Sequence, residues 1–115
     1  MSGKKFGALV RREREAKELG LRDMAKMIGV SPTYLSKVER DEFPPPAEDR
    51  VKEIAKVIGY DADELLALAG RVASDLSDII RQHPRELAAL LRTTKGLTAK
   101  DMAKLAEQAQ RTKDK

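Results

Sequence analysis

Cysteine is absent from this chain, and histidine occurs once, at His83. The missing thiols exclude disulfides and cysteine metal sites, and they fit a reducing compartment. A lone histidine ahead of Pro84 is expected to be a helix cap or a surface residue, because the other catalytic residues that a general base works with are missing. Helix capping explains the carboxylates of residues 61–64, whose spacing does not match a calcium loop. The sequence therefore predicts no enzyme, no metal site and no cofactor.

Aromatic side chains are also scarce, at 3% of the residues. A chain of 115 residues is long enough for one small core, which must therefore be aliphatic. No stretch approaches the ~18 consecutive apolar residues that a membrane-spanning helix needs. Residues 1–5, which we expect to be a frayed lead-in, are too short for a signal peptide. We therefore expect a cytoplasmic protein without a membrane partner.

The charges are unevenly spread, although the net charge of +4 is modest. Residues 1–40 hold ten Lys and Arg against five Asp and Glu, residues 41–92 hold seven against eleven, and residues 93–115 hold six against three. A basic first part followed by an acidic middle favours one anion-facing surface. Scattered charge that only keeps the surface solvated is the alternative.

The stretch MAKMIGVSPTYLSKVE, from Met24 to Glu39, has the pattern of two short helices joined by a tight turn. The first helix carries apolar residues at i, i+3, i+4 and i+7: Leu21, Met24, Ala25 and Ile28. Gly29 follows, where a helix ends in a left-handed residue. Val30 supplies an apolar plug, Ser31 a capping hydroxyl for the second helix, and Pro32 its first residue.

The second helix has a narrow apolar stripe, Leu35 and Val38. Its outward residues are Thr33, Tyr34, Ser36 and Lys37. A short helix with a polar, hydrogen-bonding outer face suits a DNA groove. Lys37 can donate to guanine O6 and N7, and the Thr33 methyl can meet a thymine methyl. An ordinary helical hairpin within a bundle is the alternative interpretation.

This stretch resembles the helix-turn-helix of the Cro/C1-type (XRE) regulators of bacteria and phages. The matching residues are Ala25, Gly29, Val30, Ser31, Leu35, Ser36 and Glu39. The resemblance covers residues 6–70 and implies an all-α fold. That fold is a five-helix, lambda repressor-like domain at residues 1–70, with a helical extension at residues 71–115. It further implies a nucleoid-associated transcriptional regulator, most simply a repressor, that binds double-stranded operator DNA as a homodimer.

The resemblance also assigns roles within the helix Ser31–Arg40. Base-reading positions fall on Pro32, Thr33 and Lys37, and contacts to a base or a phosphate on Ser31, Tyr34 and Ser36. We expect Arg22, Lys26 and Arg40 to hold the DNA backbone and to supply the salt-dependent part of the affinity. The family's buried ion pair between the first helix and the reading helix falls on Arg14 and Glu39.

Three features depart from the family pattern. Gly20 and Leu21 stand where a capping Ser or Thr followed by Gln is common, and in our interpretation Arg22 replaces the lost phosphate donor. Asp41 replaces the usual glycine after the reading helix, and aspartate tolerates the left-handed turn less easily. Asp41 and Glu42 also put negative charge where relatives present basic residues.

Apolar spacing predicts three further helices in the first domain, at residues 4–19, 47–58 and 61–69. The first is expected to bury Phe6, Leu9, Val10 and Ala16. Pro44–Pro46 favour an extended loop before the helix predicted at residues 47–58. For Phe43, two interpretations stay open: it fixes this loop against DNA or the next helix, or it is simply buried.

Residues 71–115 hold three more amphipathic helices and a polar tail, Gln110–Lys115, which we expect to be disordered. Their apolar residues are Val72, Leu76, Ile79 and Ile80, then Leu87, Leu90 and Leu91, then Met102, Leu105, Ala106 and Ala109. Such helices need a surface to cover them. We expect a second copy, which would set two reading helices about 34 Å apart. A monomer folded back on its first domain, or an antitoxin-like module bound to a partner protein, are the alternatives.

Overall fold

The computed structural model describes the backbone of residues 2–115 and the side chains of residues 5–115, and this part of the chain is helical without strands. The helices are α1 Ser2–Ala16, α2 Leu21–Ile28, α3 Pro32–Glu39, α4 Glu48–Ile58, α5 Ala62–Leu68, α6 Ser74–Gln82, α7 Pro84–Thr93 and α8 Ala99–Lys113. The chain divides into two compact units, one ending at Ser77 and one from Asp78 to Lys115. The predicted all-α class is confirmed.

Helices α1–α5 of the first unit share one hydrophobic core, in which Phe6 is the aromatic residue. Its buried members are Phe6, Leu9, Val10, Met24, Ala25, Ile28, Leu35, Val38, Val51, Ile54, Ala55, Ile58, Leu65, Leu66 and Ala73. The stripes predicted for α2, α3 and α4 supply most of them, since residues at i, i+3, i+4 and i+7 share one helix face. Ala73 lies beyond the predicted domain end at Gly70 and still belongs to this core.

The first helix ends earlier than predicted, and Ala16 is exposed instead of buried. Its place in the buried stripe is taken by Arg14, one turn after Val10. Apolar periodicity could not reveal this, because an arginine enters a core only when a charged partner from elsewhere in the fold compensates it. The predicted lead-in lies partly outside the described residues, at Met1, and otherwise in α1.

The turn between α2 and α3 forms as its residues predict. Gly29 has φ 73°, and its neighbour Val30 donates its N–H to the Ala25 carbonyl oxygen over 2.9 Å. The Ser31 hydroxyl accepts from the Tyr34 N–H at 3.1 Å, which caps α3. Arg50 of α4 donates to the Ile28 carbonyl oxygen, so the end of α2 is also held by the scaffold.

The start of α6 is fixed by side chains from the first unit. The Glu48 carboxylate accepts from the Ser74 N–H at 3.1 Å, and Arg71 donates to the carbonyl oxygens of Pro46 and Pro45 at 2.6 and 2.9 Å. Val72, predicted within the apolar stripe of this helix, precedes it and is half exposed.

The second unit contains α7 and α8, and none of the side chains from Asp78 to Lys115 is buried. Helix α8 begins with a reciprocal cap, in which the Thr98 hydroxyl accepts from the Asp101 N–H and the Asp101 carboxylate accepts from the Thr98 N–H. The predicted disorder of the tail is wrong, because α8 continues to Lys113. Side chains one turn apart support its last turns, Gln110 with Asp114 and Arg111 with Glu107.

No helix of the described part of the chain is long and apolar enough to cross a membrane.

Candidate nucleic-acid interface

Helix α3 is anchored to the first unit by three inward-facing residues. Leu35 and Val38 are almost completely buried, and Glu39 beside them is 6% exposed. The end of α3 also lies against α1 at Gly7, where an added Cβ would sit 2.5 Å from the Val38 carbonyl oxygen. Because α1 approaches so closely, α3 has little freedom to shift.

Arg14 and Glu39 form a two-pronged ion pair between α1 and α3. The Arg14 Nε donates to one Glu39 carboxylate oxygen at 2.8 Å, and Nη2 donates to the other at 3.0 Å. The third nitrogen of the guanidinium, Nη1, donates to the Leu19 carbonyl oxygen at 2.9 Å. The hydrogen bonds to Glu39 raise the pKa of Arg14, so the guanidinium stays charged.

The opposite side of α3 faces solvent and carries the predicted reading residues. Thr33 is exposed, and the other predicted contacts of the helix are partly exposed: Pro32, Tyr34, Ser36 and Lys37. Ser31 is exposed as well, although its hydroxyl is engaged by the Tyr34 N–H. The first turn of α3 is therefore accessible to the DNA backbone that borders a groove.

Two adjacent clefts border this face, and arginines line both. One, of about 290 Å³, lies between α2 and α3 and contains Arg22, Thr33, Ser36 and Arg40. The other, of about 340 Å³, shares Ser36 and Arg40 and adds Arg11 from α1. Ser36 and Arg40 thus line both clefts, with Arg22 in one and Arg11 in the other. Such a distribution suits the phosphates that flank a DNA groove.

Comparison with known proteins gives a consistent result for this region. A family model described as helix-turn-helix matches residues 10–65. The immF control region 10 kDa protein of Bacillus phage phi105 is 38% identical over 65 residues, which are 56% of this chain and 71% of the phage protein.

The chain belongs to the Cro/C1-type helix-turn-helix family of DNA-binding transcriptional regulators.

Two further proteins that resemble this chain are also regulators. An uncharacterised HTH-type transcriptional regulator of Mycobacterium tuberculosis is 38% identical over 64 residues, which are 56% of this chain and 45% of that protein. A crystal structure of the clp gene regulator ClgR from Corynebacterium glutamicum is 27% identical, with a TM-score of 0.52 over 61% of this chain and 90% of that one. The predicted family and its helix-turn-helix fold are confirmed.

The departures from the Cro/C1-type pattern have visible consequences. Gly20 precedes α2 without a side-chain cap, so the first N–H groups of α2 have no hydroxyl partner at this position. Arg22 is exposed in the first turn of α2 and lines the cleft beside α3. Asp41 adopts φ 61°, the left-handed conformation expected for this position. Glu42 lies 3.0 Å from Arg40 and partly neutralises it.

The predicted backbone contacts are not all brought together. Arg22 and Arg40 line the same cleft, whereas Lys26, exposed one turn after Arg22, is not among the residues that line it. Arg11 was not predicted, although the sequence held a signal for it. It precedes Arg14 by three residues, a spacing that puts both on one face of α1.

Phe43 is not buried, contrary to one of its two interpretations. It is 39% exposed, so it is not a core residue, and its ring contacts two residues of α3. The ring centroid lies 5.8 Å from that of Tyr34 and 5.1 Å from the Lys37 ammonium nitrogen. Phe43 therefore belongs to the candidate interface.

His83 and Asp61, the other polar residues considered as candidates, both lie at helix N-termini. His83 is exposed at the N-terminus of α7, and Asp61 caps α5 by accepting from the Glu64 N–H at 2.9 Å. Among the described residues, no group of three or more His, Asp or Glu side chains is placed to hold a metal ion.

Proposed function

We propose that this protein is a dimeric repressor that reads an operator through the helix Ser31–Arg40. The observation that supports this proposal is the two-sided construction of α3. Leu35, Val38 and Glu39 fix the helix to the scaffold, while Thr33 and Lys37 lie on its accessible face. A helix that is rigidly held and polar on its outer side is suited to base readout in the major groove.

Within this proposal, Pro32, Thr33 and Lys37 read bases, and Ser31, Tyr34 and Ser36 contact a base or a phosphate. The backbone contacts come from Arg22, Lys26 and Arg40. Each phosphate that a cation neutralises releases counterions, so binding should weaken steeply as salt increases.

The proposal is tested by fluorescence anisotropy with the DNA upstream of the gene and a scrambled duplex of equal composition, across a salt series. We expect the upstream DNA to bind at least about 10³-fold more tightly than the scrambled duplex. Equal affinity for both duplexes at every salt concentration would contradict operator reading.

Lys37→Ala should weaken binding to the preferred DNA by about 1–3 kcal/mol and relax the base preference at one position of the site. Lys56→Ala is the matched control, because it removes the same charge from α4 beside Met27 and Val57, outside both arginine-lined clefts. An equal loss on the scrambled duplex would instead make Lys37 a phosphate anchor. A repressor role further requires transcription from the bound promoter to rise when Lys37→Ala replaces the parent protein.

Dimerisation is proposed for the region from residue 71 to residue 115, as an extension of the DNA-binding domain at residues 1–70. Seven of its large apolar residues are 41% to 53% exposed: Val72, Leu76, Ile79, Leu90, Leu91, Leu97 and Met102. A second copy would cover them and place two α3 helices on successive turns of the duplex.

A partner protein is the second candidate for the same apolar residues. In that case the chain would act as an antitoxin-like module as well as a DNA-binding protein. Co-purification of a defined second polypeptide with the full chain, lost when residues 71–115 are removed, would favour the partner over the homodimer.

A further inference from the structure

The turn that follows α3 brings Phe43 back along the reading helix. The helix ends at Glu39, and the left-handed Asp41, with φ 61°, reverses the direction of the chain. The N–H groups of Glu42 and Phe43 then both donate to the Lys37 carbonyl oxygen, at 2.8 and 3.3 Å. Phe43 is thereby tied by its backbone to the residue whose side chain it contacts.

The Phe43 ring and the Lys37 ammonium form a cation–π contact at 5.1 Å. Tyr34, one turn before Lys37 on α3, packs against the same ring with an angle of 43° between the ring planes. The Phe43 ring thus lies between contacts to two residues of α3, the Lys37 ammonium and the Tyr34 ring. A free lysine on a helix surface samples many rotamers, and ordering it on binding opposes association. Contact with a fixed ring reduces that loss.

We propose that Phe43 is a specificity-determining positioning residue, which holds the Lys37 ammonium in place for guanine readout. This inference rests on the proposed operator-reading function. The ring occupies one side of the ammonium and leaves its other donors available to guanine O6 and N7. The ring's exposed portion lies outside the core, so the contact affects DNA recognition more than it affects folding.

The contact can first be tested without DNA. In the free protein, the Lys37 side-chain protons next to the ammonium should show an upfield ring-current shift in the NMR spectrum. Phe43→Leu keeps an apolar side chain but removes the ring and should abolish this shift, whereas Phe43→Tyr should retain it. Unshifted Lys37 protons in the parent protein would overturn the inference, whatever the protein does with DNA.

The effect on specificity is measured with upstream duplexes carrying each of the four bases at the position where Lys37→Ala relaxes the preference. Phe43→Leu should lower the preference for guanine at that position by about 2- to 5-fold, as expected for an exposed cation–π contact. Phe43→Tyr should restore it. In a Lys37→Ala background, Phe43→Leu should change nothing further at that position.

The proposed operator reading and the positioning role of Phe43 are contradicted by different results. If the parent protein binds all duplexes equally, the proposed function is wrong. If the parent discriminates, but Phe43→Leu weakens all duplexes alike or leaves the guanine preference intact, the positioning role is wrong and Phe43 only stabilises the loop. Thermal unfolding of each variant separates that outcome from loss of the folded protein.

Discussion

A charged pair that is nearly removed from water holds the reading helix of this regulator to its scaffold. Two hydrogen bonds join Arg14 to Glu39, and the third guanidinium nitrogen of Arg14 donates to the Leu19 carbonyl oxygen. The pair is therefore worth more for orientation than for net stability, because much of its attraction offsets the desolvation of two charges.

Glu39→Ala should lower the free energy of unfolding by about 3–5 kcal/mol, because it leaves the Arg14 charge buried without a counter-ion. Urea unfolding of the parent and the variant measures this loss. On the same α1 helix, Glu15 lies 3.6 Å from Arg11 in an exposed pair, and Glu15→Ala should cost less than about 1 kcal/mol. Similar losses for the two variants would contradict the special role of burial.

Local residue patterns could predict the turn, whereas the long-range Arg14–Glu39 pair was expected only from the family resemblance and not from apolar spacing. Gly29, Ser31 and Pro32 act locally, so their pattern alone predicts the turn and the cap of α3. Ala16 is exposed and Arg14 is buried in its stead, beside a partner that is 25 residues away in the sequence. The placement of Phe43 depends on the left-handed Asp41. Neither effect leaves a trace in hydrophobic periodicity.

The start of α6 is likewise held by a residue that is distant in the sequence and that local patterns could not identify. Glu48 lies on α4 and accepts hydrogen bonds from both the N–H and the hydroxyl of Ser74, so it caps a helix to which it does not belong. Lys52 contacts the same carboxylate at 2.8 Å. Capping rules applied to neighbouring residues could not identify this partner, 26 residues away.

The capping by Glu48 should be lost in acid. The hydrogen bond from Lys52, followed by that from the Ser74 backbone, lowers the pKa of Glu48. A lowered pKa in the folded state means that the stabilisation is complete above about pH 4.3, the ordinary glutamate value, and declines as the pH falls through the lowered one. The Ser74 amide resonance should titrate with this carboxylate. Glu48→Gln should remove the titration, and a pH-independent amide in the parent protein would contradict the assignment.

At the scale of the whole molecule, the two units differ in how they bury apolar surface. The first encloses the core that runs from Phe6 to Ala73, whereas the second has no buried side chain among residues 78–115. A helical segment with half-exposed leucines gains stability mainly by packing against another surface. The amphipathic pattern predicted that these apolar faces pack against another surface, but the pattern of one chain does not specify which surface that is.

A protein ending at Ser77 should fold, because it retains the entire core, and it should be monomeric. Its affinity for the operator should fall by about 10²-fold or more, since two linked reading helices bind far more tightly than one. Light scattering after size exclusion gives the mass, circular dichroism the helix content, and anisotropy the affinity. A truncated protein that still dimerises, or that binds the operator unchanged, would exclude a dimer interface in residues 78–115.

The division of labour within α3 has an evolutionary consequence. Leu35, Val38 and Glu39 hold the helix, whereas Thr33 and Lys37 take no part in the core. Mutations at the outward positions can therefore accumulate without threatening the fold, and gene duplicates could acquire new operators while keeping the same scaffold. The inward triplet, by contrast, is constrained by the shared core and, at Glu39, by Arg14 of α1. Divergence of target sites should thus proceed faster than divergence of the architecture that presents them.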